Sequence, residues 1–279
     1  MKLICNRLLY LSFFLFVLSA CATTLPTQVG HENANQLPKM ESENYAIYAM
    51  MSSNAYLDST RTYFPIEKLG WVRVDLDGKP TNKNSYSPTF LGKLFSNLQF
   101  DIWENRKLNK TVISFKGTDE KIDWIVSNLW FGPSVPYKSA KKHVEEYINK
   151  NNKQKSNIVL TGHSLGGGLA LSCSLWLGID AYVFDPSPRV FDGWRNHKEP
   201  AIRKVVYQEK EVLSKVRSFW PKFSEVIDEK DIYQTSFDFN VNDHRSDYLA
   251  EGLLRCSTNN SELAELAKKV TPEKVSCNL

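Results

Sequence analysis

The sequence predicts an α/β fold, a mixed but mostly parallel sheet with helices on both faces. Three observations carry that prediction. Through the middle of the 279 residues, short apolar runs alternate with helical stretches, the pattern of crossover units. The first strands are instead joined by short polar turns, so the sheet begins antiparallel and is mixed. Finally, Gly162-His163-Ser164-Leu165-Gly166 stands between the apolar run Ile158-Val159-Leu160 and the small-residue helical run Gly167 to Leu177. That is strand, sharp turn and helix, with a serine at the turn.

The first twenty residues read as an export signal. Lys2 and Arg7 make its positive end, and Leu8 to Leu18 is an apolar run too short to span a bilayer comfortably. It ends in Leu18-Ser19-Ala20-Cys21, which resembles a bacterial lipobox. The resemblance implies a lipoprotein signal peptide over 1–20 and a Cys21 that carries the acyl chains (palmitate and its like) of the mature protein. One chain holds a protein weakly, so stable anchoring needs several. Residue 22 is Ala and not Asp, which in a Gram-negative cell favours the outer membrane. Residues 21–40 are polar and aperiodic and read as a lipid-anchored flexible tether. With no internal repeat and no second linker, residues 41–279 read as a single domain, expected to be monomeric.

Within that domain, Tyr45 to Tyr56 reads as a helix with apolar residues on one face. Trp71 to Leu76 alternates as a strand does and ends in the turn pair Asp77-Gly78. Leu98 to Trp103 and Thr111 to Phe115 are strands joined by a polar turn, Ile122 to Leu129 and Lys138 to Asn149 are helical, and the serine turn follows. Ala181 to Phe184, Ile202 to Tyr207 and Ile232 to Phe239 complete the strands, and Arg245 to Arg255 is a closing helix. Cys256 and Cys277 flank a further helical stretch and are a possible disulfide in an oxidising compartment. Cys173 lies among Leu169, Leu171 and Leu175 and reads as a small buried hydrophobe.

A serine hydroxyl becomes a useful nucleophile when a tight turn exposes it beside a base, and the flanking glycines let the chain bend that sharply. Ser164 is therefore the candidate nucleophile. In an α/β-hydrolase arrangement the acid and then the histidine follow the serine along the chain. Of the five histidines, His31 lies in the tether, His143 precedes the serine, His163 is expected to point elsewhere from the turn, and His197 sits in a charged loop stretch. His244, between a strand and a helix, is the candidate base. Two carboxylates compete for the acid role: Asp185, which ends the strand after the serine helix, and Glu211, which follows the next strand. Asp243, adjacent to the base, is poorly placed to orient its ring. Two backbone donors are needed for the oxyanion. Leu165 follows the nucleophile, and Thr118 lies in the loop Lys116-Gly117-Thr118-Asp119 after an earlier strand.

At these residues the chain resembles the class 3, or fungal-type, lipases. The resemblance rests on Phe115-Lys-Gly-Thr-Asp119, Asp123-Trp124, Asn128-Leu129, Gly162 to Ala170 and Ser187-Pro188-Arg189-Val190, in the family's order over residues 110–256. It implies Ser164 as nucleophile, Thr118 and Leu165 as oxyanion residues and His244 as base. The family's acid is an Asp followed by two aliphatic residues. Glu211-Val212-Leu213 stands there, whereas Asp185 is similar in placement to the acid of pancreatic-type lipases. The resemblance also implies a lid after the oxyanion loop, where Trp124, Ile125, Leu129, Trp130 and Phe131 stand; a helix packed permanently in the core is the other reading.

Composition narrows the partners. Lys2 and Arg7 leave with the signal, so the mature chain keeps nearly equal numbers of basic and acidic residues and has no basic stripe for nucleic acid. No metal-ligand spacing and no phosphate loop appears, so no cofactor is expected. The resulting expectation is an envelope-anchored hydrolase of lipid carboxylic esters, a lipase, phospholipase or carboxylesterase, with an acyl-enzyme intermediate. Its rivals are a catalytically inactive envelope interaction protein of the same fold and an acyltransferase with the same triad.

Overall fold

The computed structural model describes residues 35–37, 42–56, 59–88, 98–118, 135–190, 198–209, 211, 213, 226–237, 244–257, 260–270 and 277–278. These belong to the compact unit Ala34–Leu279. Cys21, the expected lipidation site, and Trp124 to Phe131, read as a lid or a core helix, fall outside the described residues.

The sheet contains β1 (Asn35–Gln36), β2 (Val72–Val74), β3 (Phe100–Asn105), β4 (Lys110–Phe115), β5 (Ile158–His163), β6 (Asp180–Phe184), β7 (Arg203–Gln208), β8 (Ile232–Phe237) and β9 (Cys277–Asn278). Its order is β1-β8-β7-β6-β5-β4-β3-β2, with β9 also paired to β8. The run from β4 to β8 is parallel, while β2, β3 and β4 are joined antiparallel. The sheet is therefore mixed and mostly parallel, as the alternation of apolar runs and helices predicts.

Among the described residues five helices cover it: α1 (Ser42–Asn54), α2 (Val135–Lys150), α3 (Leu165–Leu177), α4 (Ser246–Cys256) and α5 (Ser261–Val270). Successive strand residues feed opposite layers, as the pleat requires. Ile113, Leu160, Val183, Val205 and Ile232 pack with α2 and α3. Their chain neighbours Val112, Val159, Phe184, Val206 and Tyr233 pack with α1, α4 and α5. Strands buried on both faces read as continuous apolar runs, which is why Ile-Val-Leu in β5 looked like a central strand. Helix α3 is apolar nearly all round and buried accordingly; Cys173 in it is 0% exposed, and burial pushes its thiol up, out of reach of ordinary ionisation.

One boundary differs from the sequence reading. Asn35 and Gln36 pair with Tyr233 and Gln234 of β8, and Leu37 is buried at 2% exposure. Asn35 to Leu37, inside the segment read as tether over 21–40, thus belong to the sheet and its core. A two-residue strand held by its partner's edge and one apolar anchor leaves no periodicity to read.

Candidate active site

Four successive parallel strands each deliver one chemical group beyond the C-terminal end of the sheet. Ser164 follows β5, Asp185 follows β6, Glu211 follows β7 and His244 lies between β8 and α4. This edge is where open α/β sheets present their functional loops.

The serine turn has the geometry its sequence implies. Ser164 adopts φ 56° and ψ −127°, a conformation that L-residues avoid and that an over-determined bend holds in place. A side chain at Gly162 would run into the Gly166 backbone, and one at Gly166 into the Phe115 carbonyl. Ser164 precedes α3 without capping it. Its Oγ is buried and has no hydrogen-bond partner among the described residues. Leu165 opens the helix, so its N–H is one of the orphan donors of that end. The chain after β4 passes directly over the turn: a methyl group at Gly117 would lie 2.6 Å from the His163 carbonyl oxygen and 3.2 Å from Ser164 Cβ. Thr118, half-buried, is the next residue of that loop.

His244 has φ 37° and is 7% exposed. Its Nδ1–H donates to Glu211 Oε2 at 3.0 Å, and the same oxygen accepts the Leu213 N–H at 2.8 Å. Its Nε2 is buried with no hydrogen-bond partner among the described residues. The backbone that carries the ring is pinned on the other side. Arg245 reaches the Thr60 carbonyl at 2.9 Å and Asp247 at 2.6 Å, and Arg61 bonds Ser246 Oγ at 2.9 Å.

The two competing carboxylates separate here. Glu211 is the one bonded to the Nδ1 of His244. Asp185, 0% exposed, accepts the Gln208 N–H on Oδ1 at 2.9 Å, and its Oδ2 lies 3.9 Å from His163 Nε2. His163 corrects the sequence reading, which turned it away from the site. Its ring centroid lies 4.6 Å from that of His244, and its Nδ1 shares a 3.0 Å hydrogen bond with the Tyr56 hydroxyl. The approach is made by the fold, between residues far apart in the chain, and leaves no sequence pattern. A cleft of about 510 Å³ bordered by Gly70, Val74 and Glu104 lies at the β2–β3 edge and contains none of these groups.

Cys256 is disulfide-bonded. The strand β9 that bears Cys277 packs beside α4, which ends in Cys256. The Cys277 side chain lies outside the described residues.

A family model for the Tle-like phospholipase domain matches residues 47–189. The match takes in Thr118, Ser164, Leu165 and Asp185 and stops before Glu211 and His244. No curated protein matches the chain. Among solved structures, lipase II of Rhizopus niveus is similar at 12% identity and TM-score 0.43, over 73% of this chain and 82% of that one. The Lip2 lipase of Yarrowia lipolytica is similar at 11% identity and TM-score 0.44, over 74% of this chain and 82% of that one. A triacylglycerol lipase whose catalytic centre is described as a serine-protease triad is similar at 16% identity and TM-score 0.42, over 63% of this chain and 74% of that one.

Proposed function

This chain belongs to the Tle-like phospholipase family, and on that premise we propose that it is a serine hydrolase of lipid carboxylic esters working through an acyl-enzyme. The observation that carries the proposal is the 3.0 Å bond between His244 and Glu211 at the same sheet edge as the strained Ser164 turn. A buried carboxylate on Nδ1 fixes the imidazole tautomer with its lone pair on Nε2, the form a general base needs.

Ser164 Oγ attacks the ester carbonyl while His244 Nε2 takes its proton. The charge appearing on the carbonyl oxygen is met by the N–H groups of Thr118 and Leu165, with the N-terminal end of α3 adding its partial positive charge. Glu211 stabilises the imidazolium without itself being protonated. His244 then protonates the departing alcohol, and the acyl group stays on Ser164. Water, deprotonated by the same imidazole, cleaves the acyl-enzyme and restores the serine. The family model favours a phospholipid ester as the substrate. An acyl lipid presented at a membrane also suits a protein tethered there through Cys21, at the cell envelope.

The test is turnover of p-nitrophenyl esters of graded chain length and of phospholipid vesicles, with Ser164→Ala as the control. Retention of full activity by that variant would sink the mechanism. Release of fatty acid from vesicles, lost with the serine, is the expected result.

A further inference from the structure

The site holds more donor atoms than a serine triad uses. His163, Asp185 and His244 each place one nitrogen or oxygen within 4.8 Å of the other two, and all three residues are buried. Two imidazoles and a carboxylate are a donor set that suits zinc-class ions. A chance meeting of such side chains would leave their far atoms loose. Here each far atom is tied. The Tyr56 hydroxyl holds His163 Nδ1 at 3.0 Å, the Gln208 N–H holds Asp185 Oδ1 at 2.9 Å, and Glu211 holds His244 Nδ1 at 3.0 Å. Outer partners of this kind fix ring orientation and tautomer at metal centres, the carboxylate behind a ligating histidine above all. The atoms turned inward are then His163 Nε2, Asp185 Oδ2 and His244 Nε2.

We propose that His163, Asp185 and His244 form a binding site for a divalent ion of the zinc type, and that the ion silences the hydrolase by taking Nε2 of its base. Binding stands on the geometry alone; the silencing rests on the function proposed above. A tetrahedral ion with bonds near 2.0–2.2 Å spaces its donors roughly 3.3–3.5 Å apart. The Asp185–His163 pair, at 3.9 Å, closes to that spacing by about half an ångström, and the pairs with His244, within 4.8 Å, close by up to about 1.5 Å. A nitrogen bound to the ion has no lone pair left for the serine proton, so the occupied enzyme has no base. Three protein ligands leave the fourth position to water. Because the donors come from the ends of β5 and β6 and the loop before α4, no sequence spacing announces them.

The experiment uses the full chain in detergent micelles after removal of metal. Zinc chloride is titrated by calorimetry, cobalt chloride is followed by its visible ligand-field absorption, and ester hydrolysis is measured against free zinc. One equivalent should bind, hydrolysis should fall at least 10-fold at saturation, and EDTA should restore it. Tyr56→Phe keeps all three ligands and should weaken zinc binding by about 10–100-fold, the usual effect of losing an outer partner. His163→Gln should weaken it further, with thermal melting confirming that the variant is folded. Zinc binding equal in wild type, Tyr56→Phe and His163→Gln would place the ion elsewhere, for instance at the surface pair His143–Glu146, and would overturn the site. Full hydrolysis with the site filled would overturn the silencing. If no ester is turned over at all, the serine-hydrolase reading falls by itself, and the calorimetric and cobalt results still decide the ion.

Discussion

Replacing Glu211 with Gln removes one charge and almost no volume, and it should cost more than the same change at Asp185. The structure supplies the scale. Glu211 Oε2 lies 3.0 Å from His244 Nδ1. At an effective dielectric constant near 20, a carboxylate at that distance stabilises the imidazolium of the transition state by roughly 5.5 kcal/mol. At 1.36 kcal/mol per decade that is about 10⁴ in rate, at the top of the range of about 10³–10⁴ expected when a triad acid is neutralised. Asp185 has an oxygen within 4.8 Å of a His244 nitrogen. The same arithmetic at that limit gives roughly 3.5 kcal/mol, and Asp185 makes no hydrogen bond to Nδ1 that would set the tautomer. Glu211→Gln should therefore lower kcat at least about 10-fold more than Asp185→Asn, with KM little changed because the interaction matures only in the transition state. The amide oxygen of Gln can still accept the Leu213 N–H, so the loop should keep its shape. The assay is steady-state hydrolysis of one soluble p-nitrophenyl ester by the three proteins, each checked by thermal melting. An Asp185→Asn variant as slow as Glu211→Gln, or slower, would refute the assignment and return Asp185 to the acid role.

Three further outcomes are expected. Ser164→Gly should be more stable than Ser164→Ala by about 1 kcal/mol in urea unfolding, because only glycine adopts φ 56° and ψ −127° without strain; equal midpoints would mean that the turn is unstrained. Peptide mapping of the non-reduced protein should recover Cys256 joined to Cys277, the cysteine brought beside α4 by β9, with recovery of Cys256 joined to any other cysteine as the contrary result. Cys21→Ser should shift the protein from the membrane to the soluble fraction and abolish incorporation of labelled palmitate; unchanged fractionation would remove the anchor.

Long, strongly patterned elements were legible in the sequence. The bounds of α3 follow from the serine turn before it and the small and apolar residues inside it, and β5 to β8 follow from double-sided burial. What the pattern missed was held by tertiary contacts. β1 and β9 have two residues each and exist because β8 offers them an edge. At the site, sequence order placed Ser164, His244 and both carboxylates at strand ends. It had no means of choosing between Asp185 and Glu211, since the choice depends on loop paths that bring one oxygen to 3.0 Å of a ring nitrogen. His163 was read from its place beside the serine alone, and no sequence pattern shows that its ring meets that of His244.

That strain is distributed in a telling way. Five non-glycine residues among those described have positive φ. Asn109 and Asn152 are asparagines in turns, where a short polar side chain tolerates the left-handed region. The other three are Ser164, Asp185 and His244, with φ of 56°, 40° and 37°. Such conformations cost on the order of 1–3 kcal/mol each and persist only where the surroundings over-determine them. The surroundings here are the two apolar layers and the Arg245–Asp247 and Arg61–Ser246 clamps. A fold selected for stability alone would relax all three. On the mechanism proposed above, holding Ser164 and His244 in these conformations before substrate arrives meets part of the reorganisation that catalysis would otherwise require.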